Sequence, residues 1–325
     1  MKVTVLSGGI GGARFLLGLR DLGHDITVIG NTGDDLTVLG MRICPDLDTV
    51  MYTLGGGISA ERGWGREAES FRVRDELAVY GTAVTSATEL FPSWFGLGDL
   101  DLATHLVRAQ WLADGVGLSE VTRRLCERWR PGVELLPATD TPIETQVDLA
   151  DGRRVHFQEW WVRLHAEVPA SGFEVAGASG ASPAPGVLDA LASCDLVILP
   201  PSNPVVSVGA ILAVPGIADA LRSTHAPVVG LSPIVGGAPV RGMADACLSA
   251  IGVETTAAAV ARHYGARRNG GLIDGWLVDD ADAGSVEEIA AAGVACRAVP
   301  LMMTDTAATA AMAQAAIDLA GEVRR

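Results

Sequence analysis

The segment Ser7-Gly8-Gly9-Ile10-Gly11-Gly12 constrains this chain more than any other. Four glycines in six residues stand between a β-branched apolar run at 3–6 and a stretch at 13–22 whose leucines fall at helical spacing. A strand that passes through glycines into a helix opens a βαβ unit, and a second apolar run at 26–30 completes it. Backbone amides at the positive end of such a helix suit a phosphate. Neither of two familiar phosphate loops fits. A Walker A loop needs Gly-Lys-Ser/Thr, and Lys2 is the only lysine in the chain. The dinucleotide fingerprint, counted from Gly9 through Gly11, finds Arg14 where its third glycine belongs, and Asn31 stands where an acid would hold the ribose. A structural tight turn is the other reading of the glycines.

The strand signal returns at 196–199, 228–231, 273–278 and 297–301, each run followed by turn residues and most by alanine-rich helical stretches. Continuous apolar runs are the mark of parallel strands covered on both faces, so the chain is expected to be α/β with a parallel sheet of about six strands. Between 62 and 185 the rhythm breaks. Six of the seven tryptophans lie there (Trp64, Trp94, Trp111, Trp129, Trp160, Trp161), with arginine-rich helical stretches and a hairpin signal at Asp151-Gly152. The expected division is a core of 1–61 and 186–325 with 62–185 as an inserted, mainly helical subdomain carrying a small hairpin. The tryptophan-rich insertion makes a homodimer the expected assembly.

Charge narrows the partners. With 39 acidic against 24 basic side chains the net charge is −15, which excludes a nucleic-acid-coating protein and requires any anionic ligand to be held locally. The five cysteines form no CxxC pair, and no apolar stretch approaches the ~18 residues of a membrane span, so a reducing, cytoplasmic setting without membrane contact is expected.

Five further segments carry candidate chemistry. Asp34 and Asp35 follow the second strand, as turn caps or as polar groups of a ligand crevice. Asp46 and Asp48, in Pro45-Asp46-Leu47-Asp48-Thr49-Val50, are either first-turn acids of a helix or, on a loop or strand, a pair converging on one hard cation such as Mg²⁺. In the block from Leu97-Gly98-Asp99 to Thr104-His105, Asp101 and His105 are one helical turn apart and read as a base with its orienter, or as an ordinary helix start capped by Asp99. Pro201-Ser202-Asn203-Pro204 ends an apolar strand, with Asn203 as a helix cap and Pro204 as first helical residue, and Ser232-Pro233 repeats the arrangement one strand later. Gly236 and Gly237, like the opening glycines, are read as backbone approaching a ligand.

Taken in order, these blocks, with Asn31-Thr32-x-x-Asp35 and His156-Phe157-Gln158, resemble the CofD/FbiA family of 2-phospho-L-lactate transferases of coenzyme F420 biosynthesis along essentially the whole chain. The resemblance implies a Rossmann-like doubly wound fold, Mg²⁺ as cofactor, and transfer of a three-carbon phosphoester from a guanosine diphosphate conjugate to the ribityl hydroxyl of the deazaflavin Fo, with GMP leaving. The composition looks actinobacterial, a branch associated with an enolpyruvyl donor, whereas archaeal members are associated with a lactyl donor. Ser7, Gly8, Gly9, Gly11, Gly12, Asn31, Asp35, Ser202, Asn203 and Ser232 would then hold the guanosine diphosphate half. Asp48, Thr49, Asp99 and His105 would meet Fo, and Asp46 and Asp48 would bind Mg²⁺ or orient and deprotonate the hydroxyl. Where some relatives have a basic residue before Leu-Gly-Asp, this chain has Gly96. A nicotinamide-dependent oxidoreductase and a non-catalytic nucleotide-sugar-binding regulator of the YvcK group are the competing readings.

Overall fold

The computed structural model describes residues 1–83 and 94–323. Strand β1 (Lys2–Ser7) is buried from Val3 onward, as a strand with neighbours on both edges and helices over both faces must be. Helix α1 (Gly9–Asp21) turns Ala13, Phe15, Leu16 and Leu19 inward, and β2 (Asp25–Gly30) pairs parallel with β1. An antiparallel pair, β3 (Leu36–Val38) and β4 (Met41–Ile43), leads into α2 (Pro45–Leu54), whose Pro45 occupies the first helical position. Then come α3 (Arg72–Ala83), α4 (Asp99–Ala113) and α5 (Leu118–Trp129). Strand β5 (Glu134–Pro137) pairs parallel with β2. Strands β6 (Glu144–Leu149), β7 (Arg154–His156) and β8 (Ala170–Ala176) form a separate antiparallel sheet, with Asp151-Gly152 turning between β6 and β7 as its residue types require.

The second half alternates α6 (Val187–Ser193), β9 (Leu196–Leu199), α7 (Val208–Leu212), α8 (Ile217–Ser223) and β10 (Val228–Leu231). A two-stranded hairpin, β11 (Ile234–Val235) and β12 (Ala238–Pro239), precedes α9 (Ala244–Ala250) and α10 (Ala257–Tyr264). The chain ends with β13 (Gly275–Val278), α11 (Val286–Ala291), β14 (Ala295–Ala298) and α12 (Thr306–Val323).

The central sheet runs β14-β13-β10-β9-β1-β2-β5, every pairing parallel. In chain order this is the 3-2-1-4-5-6 sequence of doubly wound dinucleotide-binding folds with one more strand at the edge. The sheet has seven strands, against an expected count of about six. The extra one, β5, comes from the interval 62–185 and was silent because an edge strand is half exposed: only Leu135 and Pro137 of its four residues are buried. Two large apolar clusters, one around Phe15, Met51 and Leu319, the other around Val197, Ile211 and Trp276, complete the core. Strand order reverses between β1 and β9, so a crevice opens beyond their carboxyl ends, at Ser7 and Leu199. Among the described residues no helix is long and apolar enough to cross a membrane.

Candidate active site

At that switch point lies a cleft of about 1010 Å³, lined by the start of α1, the start of α2, the segment after β9 and a set of aromatic side chains. Its floor is assembled by close backbone approach. Gly8, extended at φ −141°, precedes α1, and a Cβ there would lie 2.6 Å from Ser207 Cβ and 2.8 Å from Asp46 Oδ2. A Cβ on Gly11 would overlap the Pro201 carbonyl oxygen, and one on Gly12 the hydroxyls of Ser7 and Ser202. Three of the four glycines thus make room for the protein itself, while Gly8 and Gly11 still line the cleft. Gly9 is the exception: its φ is +66°, nothing lies within 4 Å of its absent Cβ, and it lines the cleft. Helix α1 therefore starts at Gly9, four residues before its apolar spacing becomes visible.

Ser202 secures the junction by donating from Oγ to the Gly8 carbonyl at 2.8 Å. Asn203 Oδ1 accepts from the Val205 and Val206 amides, capping a turn at 204–207, while α7 itself begins only at Val208. Both residues line the cleft. Asn31 is fully buried behind it, where its amide donates to Asp46 Oδ2 at 2.8 Å and to the Val206 carbonyl at 3.2 Å, and its Oδ1 accepts from Gly33. Ser7 and Ser232 are buried and off the wall; the Ser232 hydroxyl is used on Ile234. Gly236 and Gly237, both at positive φ, form the turn between β11 and β12 and are not among the residues that line the cleft.

Two carboxylates share the floor. Asp34 and Asp46 both line the cleft and are 5% exposed. Burial first, and the Asp46 charge second, push Asp34 well above the usual carboxylate range, with the Asn31 side chain opposing; Asp34 Oδ1 has no hydrogen-bond partner among the described residues. Burial likewise pushes Asp46 up to about 6, against the Asn31 amide and the Gly9 N–H. Two oxygen donors that resist ionisation together, one of them unpartnered, suit a hard divalent cation. Asp35, expected in the site, turns away: its Oδ2 accepts from Arg42 Nε at 2.8 Å and from the Cys44 thiol at 3.2 Å, and burial pushes it up to about 6.

Asp46 and Asp48 do not converge. They lie in the first turn of α2, where positions two apart are about 200° round the axis. Asp48 reaches Arg108 of α4, which is 1% exposed and grips both carboxylate oxygens, one contact at 3.0 Å. Arg108 also donates to His105 Nδ1 at 3.0 Å, and His105 Nε2 stands 3.4 Å from Asp101 Oδ1, which accepts the Tyr52 hydroxyl at 2.8 Å. Asp48, Asp101 and His105 offer atoms within 4.8 Å of one another. A guanidinium already neutralises that cluster, and its imidazole nitrogen is a donor Mg²⁺ does not favour, so Asp48 fits the metal role less well than Asp34.

Of the residues expected to meet Fo, Asp48 and Thr49 line the cleft, and His105 is buried behind Asp48. Asp99 is elsewhere: it accepts from the Ser70 amide and hydroxyl at 2.8 and 2.9 Å, tying that segment to the start of α4. Sequence reasoning missed Tyr52, Arg108 and the aromatic wall of Trp64, Trp94, Phe95, Phe157 and Trp161. A signal for Arg108 existed, since Asp101, His105 and Arg108 fall at i, i+4 and i+7 on one helical face. Gly96 lies against Trp64, whose ring would be 3.2 Å from a Cβ there, so an indole occupies the space a larger residue would need. Of the six tryptophans behind the homodimer expectation, three face the cleft, and Trp111, Trp129 and Trp160 pack inward.

A family model described as "2-phospho-L-lactate transferase CofD" matches residues 3–313. Relatives named phosphoenolpyruvate transferase align from end to end: that of Streptomyces griseus is 60% identical over 329 residues, covering 100% of both chains. The Thermobifida fusca protein is 59% identical over 337 residues, covering 100% of this chain and 99% of that one, and the Mycobacterium sp. (strain JLS) protein is 54% identical over 341, covering 99% of each. Among solved structures, a member of the UPF0052 family from Bacillus halodurans superposes with a TM-score of 0.64 at 16% identity, covering 97% of this chain and 98% of that one, a likeness of fold.

Proposed function

The chain belongs to the CofD family and is a transferase, and on that premise we propose that it moves a phosphoenolpyruvyl group from enolpyruvyl-diphospho-guanosine to the ribityl hydroxyl of the deazaflavin Fo, releasing GMP, in the biosynthesis of coenzyme F420. The observation that carries the reading is a cleft at the switch point of the sheet whose lining combines aromatic side chains with glycines and buried acids. Flat aromatic ligands stack on such side chains, and a diphosphate needs amide donors and charge neutralisation. The enolpyruvyl donor is preferred to the lactyl one because relatives of 54–60% identity bear the former name.

Displacement at a diphosphate phosphorus asks for positioning more than for a protein nucleophile. The open space above Gly9, with Ser202 and Asn203, is assigned to the diphosphate, Gly9 being the one glycine of its loop whose absent Cβ meets no neighbour. Trp64, Trp94, Phe95, Phe157 and Trp161 are assigned to the deazaflavin ring. Asp48, its charge balanced by Arg108, and Thr49 beside it would hydrogen-bond the ribityl chain. Asp34 and Asp46 are the residues that would hold Mg²⁺, which when bound neutralises diphosphate oxygens in an otherwise acidic cleft.

Incubation of the enzyme with Fo and each donor, followed by mass spectrometry, tests the reading. The enolpyruvyl donor should give a product two hydrogens lighter than the lactyl one. Exclusive use of the lactyl donor would overturn the choice of donor, and no product with either would overturn the activity.

A further inference from the structure

Transfer to a hydroxyl requires a destination for its proton as the new O–P bond forms. Four buried aspartates line the cleft: Asp34, Asp46, Asp48 and Asp101. The first two share the floor and are disfavoured from ionising together. Both oxygens of Asp48 are held by Arg108, which leaves them in the plane of a fork of donors.

Asp101 is different. Its Oδ1 takes the Tyr52 hydroxyl at 2.8 Å and faces His105 Nε2 at 3.4 Å, while Oδ2 has no hydrogen-bond partner among the described residues. The tautomer of His105 follows from Arg108. A guanidinium only donates, so the 3.0 Å contact makes Nδ1 the acceptor and puts the ring proton on Nε2, towards Asp101. The Tyr52 hydroxyl on Oδ1, with the His105 ring alongside, fixes the plane of this carboxylate: burial works against the charge, but His105, Tyr52 and Arg108 outweigh it and its pKa is lowered.

We propose that Asp101 is the catalytic base, accepting on Oδ2 the proton of the attacking ribityl hydroxyl. The proposal rests on the function set out above. The hydroxyl oxygen forms a bond to the phosphorus that bears the enolpyruvyl group, the bond from that phosphorus to the bridging oxygen breaks, its electron pair leaves with GMP, and the proton passes to Asp101. Tyr52, hydrogen-bonded to Oδ1, and His105 beside it are positioning residues in this scheme, leaving Oδ2 free for the hydroxyl.

The test compares wild type with Asp101→Asn, which is isosteric and still accepts from Tyr52, in turnover of Fo and enolpyruvyl-diphospho-guanosine, with Fo affinity measured by its fluorescence. The expected result is a loss of about 100-fold or more in kcat with Fo affinity within about threefold of wild type. Retention of kcat within tenfold, or a matching loss of Fo affinity, would overturn it. As a second measurement, added formate should restore turnover to Asp101→Ala by supplying a carboxylate in the vacated space; no restoration also overturns the proposal. Failure of the parent reading is distinct, because wild type would then form no product at all.

Discussion

His156 has both ring nitrogens committed in one protonation state. Nε2 lies 3.0 Å from the Asp35 carbonyl and must donate to it, while Nδ1 accepts the Gln158 amide at 3.0 Å. A second ring proton would confront that amide, and burial lowers the His156 pKa from 6.5, with the Asp35 carbonyl, Glu144 and Glu159 pulling the other way. A histidine depressed in the folded state binds its proton preferentially when unfolded, so its contribution to stability is present above about pH 6.5 and is lost as pH falls through the window below. The carboxylates pushed upward, Asp34, Asp35 and Asp46, act in the opposite sense, and the difference between two proteins removes their effect. The Tm advantage of wild type over His156→Asn should be greatest at pH 7.5 and shrink towards pH 5; a constant difference would refute it. Single residues were legible in the sequence by spacing and not by partnership. Asp101 and His105 could be paired because one helix turn separates them, whereas Asp48 and Arg108 are sixty residues apart on different helices, and no local pattern joins them.

At the scale of elements, α1 and the segment after β9 meet at contacts only glycine permits. Gly11→Ala would press its Cβ on the Pro201 carbonyl oxygen, a backbone atom that cannot swing aside, so unfolding by denaturant should show a loss of about 1–3 kcal/mol. Gly9→Ala meets no neighbour and is strained only by its positive φ, for a cost of about 1–2 kcal/mol. If Gly11→Ala proved neutral, the close approach would be wrong. The strands with neighbours on both edges could be read directly, because complete burial demands unbroken apolar runs. Strand β5 could not, since one edge and part of a face are free. The aspartates of α2 misled for a related reason: two residues on a strand share a face, and the same two on a helix do not.

Over the whole molecule, an excess of negative charge meets a proposed diphosphate ligand, and the meeting depends on a cation at Asp34 and Asp46. GDP should raise the Tm in Mg²⁺ and not in a chelator, by the shift expected of about 2.7 kcal/mol of binding linkage at a hundredfold excess over Kd. Asp34→Asn should abolish the Mg²⁺-dependent part while raising the Tm of the free protein at neutral pH, because an ionised Asp34 opposes folding there. A full response in that variant would exclude Asp34 as the ligand. The doubly wound plan was visible in the alternation of runs, but the aromatic part of the cleft lining was not, since it comes from scattered segments with no common spacing. The Ser202 hydroxyl clasped to Gly8 spans 194 residues of chain. During synthesis, everything that opens the βαβ unit emerges long before the strand that completes its crevice. The ligand site is therefore a late event in folding, absent from any N-terminal intermediate, and a bound substrate acts as a fastener between the first and middle thirds of the polypeptide.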